Sequence, residues 1–176
     1  MDILEIKETP LGPITLAAGQ QGMKVISFGT LPQLYECYPK LKGEEPLVIW
    51  EGDSKKPALV EVAKMELLAY LHGRLREFSL PVDWRGMTPF QESIRRACLA
   101  IPYGKTITYT ELARRGGYPR AIRAAGAANA SNPLPILIPC HRVIGSDGKL
   151  HGYGGPKGIE TKAWLLSLEQ SGSKTP

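Results

Sequence analysis

Thr108–Pro133 reads TYTELARRGGYPRAIRAAGAANASNP, and its punctuation decides how the second half of the chain folds. Thr108, with Glu111 three positions on, has the spacing of a reciprocal helix cap, which predicts a short helix ending at Gly116-Gly117. Pro119 suits the first position of a second helix, where a missing N–H costs nothing. Two short helices joined by a glycine-containing turn form a helix-turn-helix, with Arg120 and Arg123 on the second. That second helix is built from Ala121, Ala124, Ala125, Ala127, Ala128 and Ala130 around Gly126, so another surface can approach it closely. An alanine-rich helix is equally compatible with tight packing inside a domain. The flanking arginines favour a face for nucleic acid.

The charge around this stretch points the same way. Arg95, Arg96, Lys105, Arg114, Arg115, Arg120 and Arg123 lie in one segment whose single acid is Glu111. The whole chain carries 22 basic and 17 acidic residues, a net charge of +5 that permits a polyanionic partner without requiring one.

Immediately downstream, Pro135–Val143 reads PILIPCHRV. An apolar run closed by Pro139 suggests a strand that stops at Cys140. A cysteine there is either a small core thiol or a nucleophile, and the second role needs a base or cation beside it, because a thiol near neutral pH is mostly protonated. His141 and Arg142 are candidates only if the chain turns, since consecutive side chains on a strand point to opposite faces.

The first half reads as short strands, ILEIKET, ITLAA and MKVISF, separated by Pro10-Leu11-Gly12-Pro13 and Gly19–Gly22, which predicts a three-stranded antiparallel meander. Leu34–Asp53 gives mixed signals. Beyond Pro57, Leu59, Val62, Ala63, Met65, Leu68 and Leu71 recur near helical spacing and predict an amphipathic helix on the meander. Pro81, Gly86 and Pro89 mark a connection, so the domains are placed at residues 1–88 and 89–176. The second opens with a helix over about Gln91–Ala100 and closes with one whose apolar face is Ile159, Trp164, Leu165 and Leu168, before a tail, QSGSKTP, expected to fray.

Several classes are excluded. No apolar run is long enough to span a membrane and the N-terminus has no leader character, which predicts a cytoplasmic protein, nuclear if its source is eukaryotic. Cys37, Cys98 and Cys140 are odd in number and widely spaced, so no disulfide framework is expected. Neither these nor His72, His141 and His151 show zinc-ligand spacing, and no metal or cofactor is expected.

TYTELA, PRAIRAAGAANASNPLPILIPCHRVIG, GKLHGYGG and KAWLLSLE together resemble the O6-alkylguanine-DNA alkyltransferase family, the methylated-DNA–protein-cysteine methyltransferases. TPLGPITLAAGQQGMKVISF and TPFQESIRRACLAIPYGKTITY extend the resemblance over nearly the whole chain. The resemblance implies an α+β protein, a ribonuclease H-like N-terminal sheet with a helix followed by a mostly helical domain. It implies a monomer that repairs double-stranded DNA by irreversible, single-turnover alkyl transfer from O6-alkylguanine to Cys140. O4-alkylthymine is a further candidate substrate. His141 would then be the base, acting through a water, with Glu169 orienting it. Asn132 would hold the turn before the active-site segment, and Tyr109 would assist departure of guanine. Arg123 would fill the space of the extruded nucleotide, on a DNA face with Arg120, Ala124, Ala127 and Thr108. Pro135, Val143, Tyr153 and Gly154 would wall the pocket, roomier with a glycine at 154 than with a serine.

Two features depart from the family pattern. Tyr153 and Lys162 lie farther apart than is common, so no pocket role is carried over to Lys162, and the helix after Phe90 lacks a tryptophan near Arg95. Two other readings use the same residues. A non-catalytic lesion sensor of this fold would replace the cysteine, which Cys140 opposes. A helix-turn-helix regulator reading the major groove would need larger polar side chains than residues 119–130 offer.

Overall fold

The computed structural model describes residues 1–43, 47–48 and 59–172. The chain divides into two compact units, Met1–Asp83 and Trp84–Pro176.

In the first unit, β1 (Asp2–Ile6), β2 (Ile14–Gly19) and β3 (Gly22–Phe28) form the antiparallel meander, with Ile6 opposite Ile14 and Leu16 opposite Ile26. β1 ends three residues before the run ILEIKET does, because Thr9 and Gly12 close the turn: the Gly12 N–H donates to the Thr9 carbonyl at 3.0 Å, and Gly12 has φ of 83°. A fourth strand, β4 (Leu47–Val48), runs parallel to β1 at the sheet edge. Most of β2 is buried on both faces. Ala17 packs with Ile3, Val25 and Leu34 under α1 (Leu31–Cys37), while Ile14 and Leu16, on the other face, are fully buried where α2 (Leu59–Leu71) packs on β1 and β2. Pro57 lies outside the described residues.

The face of α2 differs from the one predicted. Val60, Ala63, Leu67, Tyr70 and Leu71 are buried, and Met65 is 60% exposed. The helix is apolar nearly all round, so spacing alone cannot choose between overlapping stripes.

In the second unit, α3 (Pro89–Leu99) begins at a reciprocal cap between Thr88 and Gln91, two residues before the predicted start, with Pro89 at its first position. α4 (Tyr109–Arg115) begins where Thr108 Oγ1 accepts from the Glu111 N–H at 3.2 Å. Gly116 ends it, and a Cβ there would come within 2.5 Å of Ile94 Cδ1, so the glycine gives α4 room against α3. α5 (Ile122–Ala130) starts three residues later than predicted. Pro119 and Arg120 lie in a turn closed by the Ala121 N–H on the Tyr118 carbonyl at 2.9 Å, so Arg120 precedes the helix instead of riding on it. α3, α4 and α5 pack together over Ile94, Leu112, Ala125 and Ala128.

The apolar run before Cys140 is a buried loop, not a strand. Pro135 and Ile138 form an isolated bridge around a tight turn, and Ile136 is held at φ of 74°, a conformation that costs a β-branched residue about 1–3 kcal/mol. The chain continues as a 3-10 turn, Cys140–Arg142, then β6 (Val143–Ile144), parallel to β5 (Ile107–Thr108). α6 runs from Ile159 to Gly172, so the first residues of the expected frayed tail are helical; residues 173–176 lie outside the described residues. Its buried face is Thr161, Lys162, Leu165 and Glu169, while Ile159 and Trp164 are exposed.

Candidate active site

Asn132 brackets the loop that leads to Cys140. Its Oδ1 accepts from the Leu134 N–H at 3.0 Å and its Nδ2 donates to the Ile138 carbonyl at 2.8 Å. The Cys140 N–H then donates to the Ile138 carbonyl at 2.7 Å, and the Arg142 N–H to that of Pro139 at 2.9 Å, winding Cys140–Arg142 into one 3-10 turn. With three residues per turn, successive side chains diverge by about 120°. Cys140 therefore faces a cleft while its neighbours reach the interior.

The cleft holds about 580 Å³ and is lined by Tyr109, Ile122, Arg123, Gly126, Asn129, Ala130, Cys140 and the loop His151–Gly154. That volume is in the range of small-molecule sites. Cys140 is 7% exposed and is held from behind by Asn129, whose Nδ2 donates to its carbonyl at 3.3 Å. Burial pushes the Cys140 thiol up; a hydrogen bond from Asn132 and the Lys162 charge act in the opposite direction. At rest the group is a thiol.

Behind it, His141 and Arg142 converge on Glu169. His141 Nε2 lies 2.8 Å from Glu169 Oε1, Arg142 donates to both carboxylate oxygens at 2.8 to 3.1 Å, and the Gly104 N–H donates to Oε2 at 3.0 Å. His141 and Glu169 are fully buried. Burial raises the Glu169 carboxyl, but hydrogen bonds from His141 and Arg142 outweigh it and hold it at about 2. His141 is pushed below the usual imidazole range, by burial foremost and against the pull of Glu169. A carboxylate only accepts, so the proton of a neutral His141 sits on Nε2 and Nδ1 carries the lone pair.

Lys162 reaches the same region despite the longer loop before it. It is 1% exposed, and its Nζ donates to the carbonyls of Val143 at 2.7 Å and His151 at 3.2 Å. The ammonium lies 5.8 Å from the centroid of the Tyr109 ring. Burial raises the Tyr109 phenol, which keeps it a proton donor. Gly155 lets the His151–Gly154 loop close on α6, since a Cβ there would come within 2.5 Å of Thr161.

Of the residues singled out from the sequence, Cys140, Tyr109, Arg123, Tyr153 and Gly154 line the cleft. A Cβ at Gly154 would meet nothing within 4 Å. Pro135 and Val143 are not among the lining residues: Pro135 is engaged in the bridge to Ile138, and Val143 is fully buried with its carbonyl bound by Lys162. Arg120, Ala124 and Ala127 are exposed, and Thr108 caps α4. Within the basic segment, Arg95 is buried, bonding Ser131, and Arg96, Arg114 and Arg115 pair with Glu92 or Glu111. Arg120 and Arg123 form no ion pair among the described residues. Ile122, Asn129, His151 and the anchoring roles of Arg142 and Lys162 escaped the sequence reading. Arg142 stood in PCHRV, and only the fold shows that it binds Glu169.

Comparison with known proteins gives the same picture along the whole chain. Residues 4–84 match the ribonuclease-like domain of 6-O-methylguanine DNA methyltransferase, and residues 89–171 match its DNA binding domain. The methylated-DNA–protein-cysteine methyltransferase of Methanosarcina barkeri is 42% identical over 167 residues, 95% of this chain and 96% of its own. The constitutive enzyme of that name from Bacillus subtilis is 47% identical over 176 aligned positions, 97% of this chain and 96% of its own. Among solved structures, Mycobacterium tuberculosis OGT in complex with DNA superposes with a TM-score of 0.75 at 39% identity, covering 98% of this chain and 94% of that one. With both halves matched and identity sustained over nearly its full length, the chain belongs to the 6-O-methylguanine DNA methyltransferase family.

Proposed function

We propose that Cys140 is the acceptor through which this chain performs its family's reaction, transfer of an alkyl group from O6-alkylguanine in double-stranded DNA to a protein cysteine. The observation that carries the reading is the placement of a nearly buried thiol at a cleft, backed by His141 on an ionised Glu169. The Cys140 proton passes to His141 Nδ1, through a water, and the imidazolium that forms is stabilised by Glu169. The thiolate attacks the alkyl carbon in line. The new S–C bond forms as the C–O6 bond breaks, the electron pair moves into the guanine ring, and Tyr109 donates a proton to the departing base. Lys162 adds positive charge near the developing thiolate. Residues 89–176 carry these functions, and the chain works as a monomer in the cytoplasm, or in the nucleus of a eukaryote. Mass spectrometry after mixing with a duplex holding one O6-methylguanine tests the reading: a methyl on the Cys140 peptide is expected, and a methyl elsewhere, or none, overturns it.

No group in the site can strip an alkyl from a thioether, which is a poor leaving group at neutral pH. Titration against excess methylated duplex should therefore restore about one guanine per protein molecule and then stop. Repeated turnovers would contradict the acceptor role.

Arg123 lies exposed on α5 at the cleft edge. Extruding a base costs a few kcal/mol, so Arg123→Ala should slow repair of a duplex by roughly tenfold or more while reaction with free O6-benzylguanine stays within about twofold. Equal losses on both would make Arg123 a pocket wall.

The pH profile follows from the two shifts. His141 must be neutral to take the proton, and its lowered value moves the acid limb below the ordinary imidazole value of about 6.5. The thiol is raised, so the rate on the free base should keep climbing beyond neutral pH. No second inflection is expected between about pH 6.5 and that of the thiol; one there would show that His141 is not the neutral base.

A further inference from the structure

α5 presents to solvent Arg123, Ala124, Ala127 and Ala130, and at its first residue Ile122, which is 39% exposed and lines the cleft that holds Cys140. Six large apolar side chains are exposed among the described residues, and only Ile122 is at the cleft. A lone exposed isoleucine is ordinary on a protein surface. This one stands in a helix otherwise reduced to alanine, glycine and asparagine beside Arg123, at a position where a β-branched residue favours the helix less than alanine would. It is not among the residues of the buried core.

We propose that Ile122 enters the opened duplex as an apolar wedge beside Arg123, packing on the base pair next to the vacated position. The proposal rests on the reading that this face meets alkylated DNA. Extruding a nucleotide leaves base faces unstacked and wet. An arginine can fill the gap and hydrogen-bond the orphaned partner, but its guanidinium shields those faces poorly from water. An isoleucine covers them, as apolar wedges do elsewhere in the minor groove. Arg120, exposed and without an acidic partner among the described residues, holds a phosphate beside the gap, and the exposed alanines keep the backbone close enough for a four-carbon side chain to reach the stack.

Ile122→Ala, Ile122→Leu and wild type would be compared on a duplex with one O6-methylguanine and on free O6-benzylguanine. Ile122→Ala should slow the duplex reaction about tenfold more than the free-base reaction, with Ile122→Leu restoring most of the duplex rate. In a Cys140→Ser background, 2-aminopurine placed beside the lesion reads unstacking without the chemistry, and Ile122→Ala should remove most of the fluorescence rise seen on binding. Unchanged fluorescence and unchanged duplex rate would overturn the wedge, as would equal losses on both substrates, which would make Ile122 a wall of the pocket. Wild type that unstacks the duplex but transfers nothing would instead sink the acceptor reading while leaving the wedge standing. Ile122 is exposed, so an unchanged melting temperature is expected for all three proteins.

Discussion

A Cys140→Ser chain is expected to transfer no methyl group from O6-methylguanine while holding duplex DNA about as tightly as wild type. The exchange keeps the size of the side chain and the backbone bonds of the 3-10 turn, including those to the Ile138 carbonyl and from Asn129. It removes the atom that can become an anion here. Burial already holds the thiol above its ordinary value, and a serine hydroxyl starts several units higher, so its alkoxide is out of reach of a neutral His141. Loss of a nucleophile of this kind costs roughly 10⁴-fold or more. Binding should survive because the exposed residues of α5 and the turn before it, Arg120 and Arg123, are untouched, and affinity should still fall as salt rises. Cys37→Ser and Cys98→Ala serve as controls: Cys37 is exposed, and Cys98 is buried with its thiol pushed far up. Both should accept one methyl per molecule at Cys140. Transfer retained in Cys140→Ser, or lost in Cys37→Ser, would place the acceptor elsewhere.

The parts of this fold that were legible in the sequence are those governed by local rules. Gly12 and Gly19–Gly22 turn the chain as their residue type allows, and Thr108 caps α4 through its hydroxyl, although Glu111 pairs with Arg114 and Arg115 instead of returning the cap. Residues that serve the site broke the local rules. α6 buries Lys162 and Glu169 and exposes Ile159 and Trp164, so of the apolar stripe Ile159, Trp164, Leu165 and Leu168 only Leu165 is buried. Burying those charges makes sense only with Arg142, His141 and the Val143 and His151 carbonyls in place, from segments far away along the chain. PILIP reads as a strand because a short apolar run bounded by turn signals is compatible with a buried one. A positive φ at Ile136 and the Asn132 bracket make it a loop, and neither shows in a period of two. The same loop supplies the turn at Cys140 that the chemistry needs. Pro119 gave a plausible helix start, yet the turn from Tyr118 to Ala121 delays the helix until Ile122, which puts that residue at the edge of the cleft.

Glu169→Ala should destabilise the second unit by about 3–5 kcal/mol, because it strands a buried charge. The Glu169 carboxylate accepts from His141, from Arg142 and from the Gly104 N–H, and both its side chain and that of His141 are fully buried. Without it, Arg142, itself 6% exposed, keeps only its bond to the Ile101 carbonyl among these partners. For a chain of this length the loss corresponds to roughly 6–20 °C in melting temperature. Glu169→Gln is the discriminating variant. It preserves the shape and can still accept from Arg142, so it should fold better than the alanine variant. It cannot balance the charge of Arg142 or of an imidazolium at His141, so transfer should fall by two orders of magnitude or so even where the protein is folded. The pH dependence has a definite sign. Glu169 is held at about 2 in the folded chain against an ordinary value near 4.3, so its contribution is complete above about pH 4.3 and is lost as the pH falls toward 2. Urea unfolding of wild type and Glu169→Gln between pH 3 and 7 measures this directly. The gap in stability between them should narrow below about pH 4.3, because the unfolded carboxyl then takes up a proton while the folded one, held at about 2, does not. A gap that stays constant with pH would mean that the carboxylate is not ionised among its partners, and the stabilisation of a His141 imidazolium by Glu169 would fall with it.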